Sequence, residues 1–100
     1  MVGRRARSMF YVVTYDIPDD QRRQKIAKIL EDFGDRVQYS VFEMELDKAE
    51  RLVEMQSRLG YVVKKEEDSI RIYFLCKECS TKVKIIGLGK LYQDEKVYIV

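Results

Sequence analysis

The chain has 100 residues, 46% of them hydrophobic and 36% charged, with a net charge of +2. That length holds one small core, and the mixed charge marks a solvated surface rather than a disordered segment. There is no histidine, which excludes the commonest general base and the commonest zinc ligand, and no apolar run approaches the ~20 residues of a membrane helix.

Residues 1 to 8, MVGRRARS, carry Arg4, Arg5 and Arg7 and no acid. Without those three arginines the chain holds 16 cations against 17 acids, a net of −1. Attraction for nucleic acid in the folded body therefore requires local clustering. The segment reads as a mobile basic arm, and Met9 directly after it reads as an alternative start. No secretory leader is evident, so the expected location is cytoplasmic with no membrane association.

FYVVTYDIPDDQRRQKI, residues 10 to 26, opens with a β-branched and aromatic run that predicts a central strand covered on both faces. It ends on Asp16. Pro18 cannot continue a central strand, and Asp19 is suited to cap a helix from about residue 20. Ile26, Ile29, Leu30 and Phe33 give that helix its apolar stripe, and Gly34 its stop. The opposite face carries Arg22, Arg23, Lys25 and Lys28. Two readings of Asp16 stand side by side: a solvated turn acid, or a metal ligand next to a phosphate-binding helix start.

RVQYSVFEMEL, residues 36 to 46, is strand-like but changes phase. Val37, Tyr39 and Val41 share one face and Phe42, Met44 and Leu46 the other. A bulge, a break into two strands or burial of both faces resolves the conflict. DKAERLVEMQSRLG predicts a second helix with Asp47 as N-cap, Ala49, Leu52, Val53 and Leu59 inside, and Gly60 as its end. VKKEED is a charged loop. SIRIYFLC, residues 69 to 76, predicts a well-covered strand, and residues 82 to 87 and 96 to 100 two short ones. Cys76 and Cys79 form a lone CxxC, read as a reduced or structural pair because a structural zinc takes four ligands. Tyr11, Tyr15, Tyr39 and Tyr73 are read as packing residues.

Strand, helix, strand pair, helix, strand predicts an α+β, ferredoxin-like βαββαβ sandwich over residues 9 to 100, with an extra C-terminal strand. Its second sheet face needs a cover, and a symmetric homodimer supplies one.

YDIPDDQRRQK, RVQYSVFEMEL, DSIRIYFLC and VYIV, in that order, resemble the CRISPR-associated protein 2 family across residues 9 to 100. The resemblance implies a homodimeric endonuclease that hydrolyses phosphodiesters of single-stranded RNA or double-stranded DNA with magnesium. It also implies participation in spacer integration beside the CRISPR integrase subunit. Asp16 matches the family's magnesium-binding catalytic aspartate. Arg22, Arg23 and Lys25 fall on the basic helix start expected to bind nucleic acid, and Ser40 and Phe42 fall in the family's SVF segment. The alternative is a non-catalytic structural dimer that bridges integrase subunits and binds duplex DNA. An RNA-binding module of the same fold is a third reading, and it lacks the aromatic strand signature of that class.

Overall fold

The computed structural model describes residues 9–89. The predicted N-terminal arm and the strand at residues 96 to 100 lie outside them. β1 (Met9–Asp16) is followed by α1 (Asp20–Glu31), β2 (Asp35–Gln38), β3 (Val41–Leu46), α2 (Ala49–Val62), β4 (Ser69–Leu75) and a one-turn α3 (Lys77–Ser80). The four strands form one sheet in the order β2-β3-β1-β4. β1 pairs antiparallel with β3 and with β4, and β3 antiparallel with β2. Strands joined through a helix run parallel but are never neighbours, which is the interleaved ferredoxin-like arrangement.

Strand alternation explains the layering. Tyr11, Val13 and Tyr15 of β1 and Phe42, Met44 and Leu46 of β3 point to the helices and are buried with Ile26, Leu30, Met55 and Leu59. β1 is central because neither of its edges is free. Its second face carries the half-buried Val12 and Thr14 and the exposed Asp16, so both-sided cover is only partly achieved within one chain.

The phase change in residues 36 to 46 resolves as a break. Tyr39 and Ser40 make a tight turn between β2 and β3, and the register of that pair shifts between Arg36 and Gln38. β3 then presents its Phe42 phase to the core, while Val37 and Tyr39 stay exposed.

α1 starts as expected, with the Asp19 carboxylate accepting from the Arg22 N–H at 2.9 Å. It ends at Glu31, and the Gly34 N–H donates to the Leu30 carbonyl at 3.0 Å. α2 corrects several expectations. Lys48, not Asp47, holds its N-cap position, with no side-chain cap. Its buried stripe is Leu52, Met55, Leu59 and Val62, a cleaner 3.6-residue repeat than the predicted set. Ala49 and Val53 face solvent. Gly60 does not stop the helix, which runs on to Val62 because Leu59 and Val62 still pack on the sheet.

A Cβ at Gly60 would meet nothing within 4 Å. The position is helical and exposed, so Gly60→Ala is expected to stabilise the fold by about 0.5–1 kcal/mol. A rise in the urea midpoint at unchanged slope is the measurement, and a fall would contradict helical backbone there.

Among the described residues β4 is an edge strand and is less covered than expected. Tyr73 is 48% and Phe74 55% exposed. Residues 82 to 87 form no strand, and Ile86 and Leu88 beyond β4 are almost fully exposed. Of the four tyrosines read as packing residues, Tyr11 and Tyr15 are buried, and Tyr39 and Tyr73 are not.

Candidate functional site

Asp16 closes β1 and stands opposite Ser69 of β4. Alternation along β1 points it away from the helices, onto the sheet's second face. It is exposed, and its carboxylate makes no hydrogen bond or ion pair among the described residues. No group of three or more His, Cys, Asp or Glu able to hold a metal exists among the described residues. A hard cation such as magnesium takes oxygen ligands and keeps several waters, so one or two carboxylates suffice. One chain offers one such carboxylate. The donor type fits magnesium, and the donor number fits it best where two copies each contribute Asp16.

The basic helix start divides into different roles. Arg22 is engaged by acids. Its Nε donates to Asp68 Oδ2 at 2.8 Å, and its terminal nitrogen to Asp68 Oδ1 at 3.0 Å and Glu67 Oε1 at 2.9 Å. The Lys64 N–H donates to Asp68 as well, at 2.8 Å. The Asp68 side chain has no exposure at all. This fork ties the first turn of α1 to the loop between α2 and β4 and occupies one hydrogen-bonding edge of the guanidinium. Arg22 is therefore a structural clamp in the fold, with one terminal nitrogen outside these bonds.

Hydrogen bonding from Arg22 holds the Asp68 carboxyl below its ordinary value, and Asp68 in turn raises that of Arg22. A depressed carboxyl favours the folded state above the unfolded value of ~3.9, and that contribution is lost as pH falls from there through the lowered folded value. Arg22→Ala is expected to lower the urea midpoint at about pH 7, because a buried carboxylate loses its partner, and the deficit is expected to shrink at about pH 3. A deficit independent of pH would separate the two residues energetically.

Arg23 turns the other way. It donates to the Ile17 carbonyl at 2.8 Å and pairs with Asp20. It also lines a cleft of about 410 Å³ between α1 and the β2–β3 hairpin, with Tyr15, Lys28, Glu31, Arg36 and Tyr39. Arg23 is offset by its partner Asp20, so Lys28 and Arg36 against Glu31 leave the cleft positive. Burial pushes the Tyr15 hydroxyl upward, with Arg36 opposing, so it stays a donor near neutrality, directed at the Tyr39 carbonyl 3.4 Å away. The Arg36 guanidinium lies 5.5 Å from the centre of the Phe42 ring. Tyr39, 69% exposed, offers an aromatic face at the mouth. Cations around an exposed aromatic suit a phosphate and its adjoining base.

Lys25 is exposed on α1 without a partner among the described residues. Ser40 has a structural part, its carbonyl accepting from the Tyr15 N–H at 3.1 Å and so fastening the hairpin tip to β1. Phe42 is fully buried, 6.2 Å from the Tyr15 ring. Sequence reasoning missed Arg36, because only the register shift in β2 and the packing of the hairpin bring it to α1.

The structure does not put carboxylate and cleft side by side within one chain. Tyr15 lines the cleft on the helix side, and its neighbour Asp16 points to the opposite face. They share one end of the sheet.

A family model described as CRISPR associated protein Cas2 matches residues 9–83. A Synechocystis protein called CRISPR-associated endoribonuclease Cas2 3 is 52% identical over 77 residues, 77% of this chain and 83% of that protein. The crystal structure of Streptococcus pyogenes Cas2 at pH 6.5 superposes with a TM-score of 0.70 at 34% identity, covering 79% of this chain and 100% of that one. A chain of a partial Cas6-RT-Cas1–Cas2 complex superposes with a TM-score of 0.70 at 31% identity, covering 78% and 90%.

Proposed function

The chain belongs to the CRISPR-associated Cas2 family, and on that basis we propose that it is a magnesium-dependent endonuclease of the CRISPR system that takes part in spacer integration. The observation that carries the catalytic reading is Asp16. It is an exposed carboxylate at the end of the central strand, with no hydrogen bond or ion pair among the described residues. The relative's printed name supplies the endoribonuclease class, and the neighbour's assembly with Cas1 supports the CRISPR integrase subunit as partner.

The working unit is a symmetric homodimer in this proposal. Val12, Thr14, Tyr73 and Leu75 on the second sheet face and the open edge of β4 are surfaces a second copy covers. A two-fold axis through that face brings the two Asp16 side chains together to hold one magnesium ion. Magnesium bound there would lower the pKa of coordinated water and balance charge on the phosphodiester. The protein's own contribution is positioning. Lys28 and Arg36 hold phosphates of the strand in the cleft, with Arg23 behind them on Asp20, Lys25 extends the positive track along α1, and Tyr39 stacks a base.

A second reading has an observation of its own. Cleft and carboxylate lie on opposite faces, so cations that grip a duplex need not present it to Asp16. A structural dimer that bridges integrase subunits while binding duplex DNA uses the clefts alone.

The test is cleavage of single-stranded RNA and of double-stranded DNA by purified protein with magnesium, against a chelator control. Magnesium-dependent cutting of either is the expected result. Binding of the same probes should weaken in the Lys28→Ala, Arg36→Ala double variant, with the salt slope reduced by roughly 0.7–0.9 per lost phosphate contact. An unchanged slope would remove the cleft from the interface. No helix among the described residues is long and apolar enough to cross a membrane.

A further inference from the structure

Cys76 and Cys79 take no part in the site above. β4 ends at Leu75 and the chain turns directly into α3, whose N-cap residue is Cys76. The Cys79 N–H donates to Cys76 Sγ at 3.3 Å, so the turn folds Cys79 back onto the Cys76 side chain. Both thiols are free and exposed. The backbone contact sets the two thiols in different surroundings.

The two thiols differ electrostatically. Donation from the Cys79 N–H, and next from the Cys79 thiol, holds Cys76 below its ordinary value. Cys79 is pushed up because its proton is held toward Cys76 and a second negative charge beside it is opposed. The N–H contact favours the thiolate form at Cys76 over that at Cys79. Metal coordination is poorly served, because no third His, Cys, Asp or Glu joins the pair in a metal-holding group among the described residues.

We propose that Cys76 and Cys79 are a reversible dithiol–disulfide pair toward low-molecular-weight disulfides, with Cys76 attacking and Cys79 resolving. The Cys76 thiolate bonds to one sulfur of the small disulfide and expels the other as a thiolate. Cys79 then gives its proton to solvent and bonds to Cys76 Sγ, expelling the second small thiolate. The protein's two thiols are oxidised to one disulfide, and the small disulfide is reduced to two thiols. The product staples the turn that leaves edge strand β4, just ahead of the exposed Ile86 and Leu88. This inference does not depend on the nuclease reading.

Incubation of the full chain with oxidised glutathione, acid quenching and intact-mass measurement tests it. The parent chain should lose the mass of two hydrogens and retain no glutathione. Cys79→Ser should stop with one glutathione on Cys76. Cys76→Ser should gain its single adduct more slowly, on the order of tenfold. A parent that ends with two glutathione adducts, or as disulfide-linked dimers, overturns the intramolecular pair. Equal rates in the two serine variants overturn the attacking role of Cys76. Both residues are exposed, and matching circular dichroism of variants and parent verifies that the fold is intact.

Discussion

Asp16→Asn is expected to lower magnesium-dependent cleavage by orders of magnitude while leaving fold and nucleic-acid binding intact. Asparagine keeps the size of the side chain and one oxygen, and it removes the charge that a hard cation requires. Nothing in the described residues leans on the carboxylate. It caps no helix, pairs with no cation and lies on the face away from the basic cleft. Loss of activity can therefore be attributed to the site rather than to the scaffold. Three measurements make the result decisive: cleavage rate, magnesium binding by titration calorimetry, and affinity for an uncut duplex. Loss of the first two with the third retained supports the metal reading. Cleavage at the parent rate would make Asp16 a solvated turn acid. Spacer integration that persists in the variant beside the integrase subunit would place the biological role in the structural dimer.

The strand–helix skeleton was readable because its signals are local. Ile26 and Leu30 repeat at helical spacing, Asp19 is a cap by chemistry, and Phe42, Met44 and Leu46 alternate. The Val37–Tyr39–Val41 phase could not be assigned to core or solvent from sequence, since both phases were apolar. The turn at Tyr39 and Ser40 decides it by reversing the chain. Gly60 misled because a glycine near the end of an apolar stripe resembles a stop signal, while Val62 continues the packing. Residues 82 to 87 misled in another way. Their apolar composition suits a strand, but a strand also needs a partner edge, and composition does not report one.

The candidate site was legible only in part, for a related reason. Residue types at Asp16 and on the basic face of α1 were visible. Which cations were available was not. Arg22 meets Asp68 across a separation of 46 residues, and nothing local distinguishes Arg22 from Arg23. Arg36 joins the cleft only through the hairpin. Nearest-neighbour chemistry along the chain reveals candidates, and long-range pairing sorts them into clamp and ligand contact.

Gly34→Ala is expected to be among the most damaging small substitutions in the domain, at about 3 kcal/mol, the upper end of typical overpacking costs. The cause is room rather than backbone freedom. A Cβ at Gly34 would fall 2.5 Å from Met44 Cβ, and closer still to the Glu43 carbonyl oxygen. Neither neighbour can swing aside. Both atoms belong to the framework of β3, where Glu43 stands opposite Val12 and Asp35, and Met44 opposite Tyr11. Met44 is also fully buried. Relief requires either β3 to move against two partners or the end of α1 to lift away, which would expose Phe33 and Leu30. Against a typical total stability of about 5–15 kcal/mol, such a loss leaves a 100-residue chain partly unfolded on warming. The measurement is the urea midpoint at constant slope, with Gly60→Ala as the internal comparison. One alanine is expected to lower the midpoint and the other to raise it. A midpoint for Gly34→Ala equal to or above the parent's would mean that the end of α1 does not lie this close to β3 in solution.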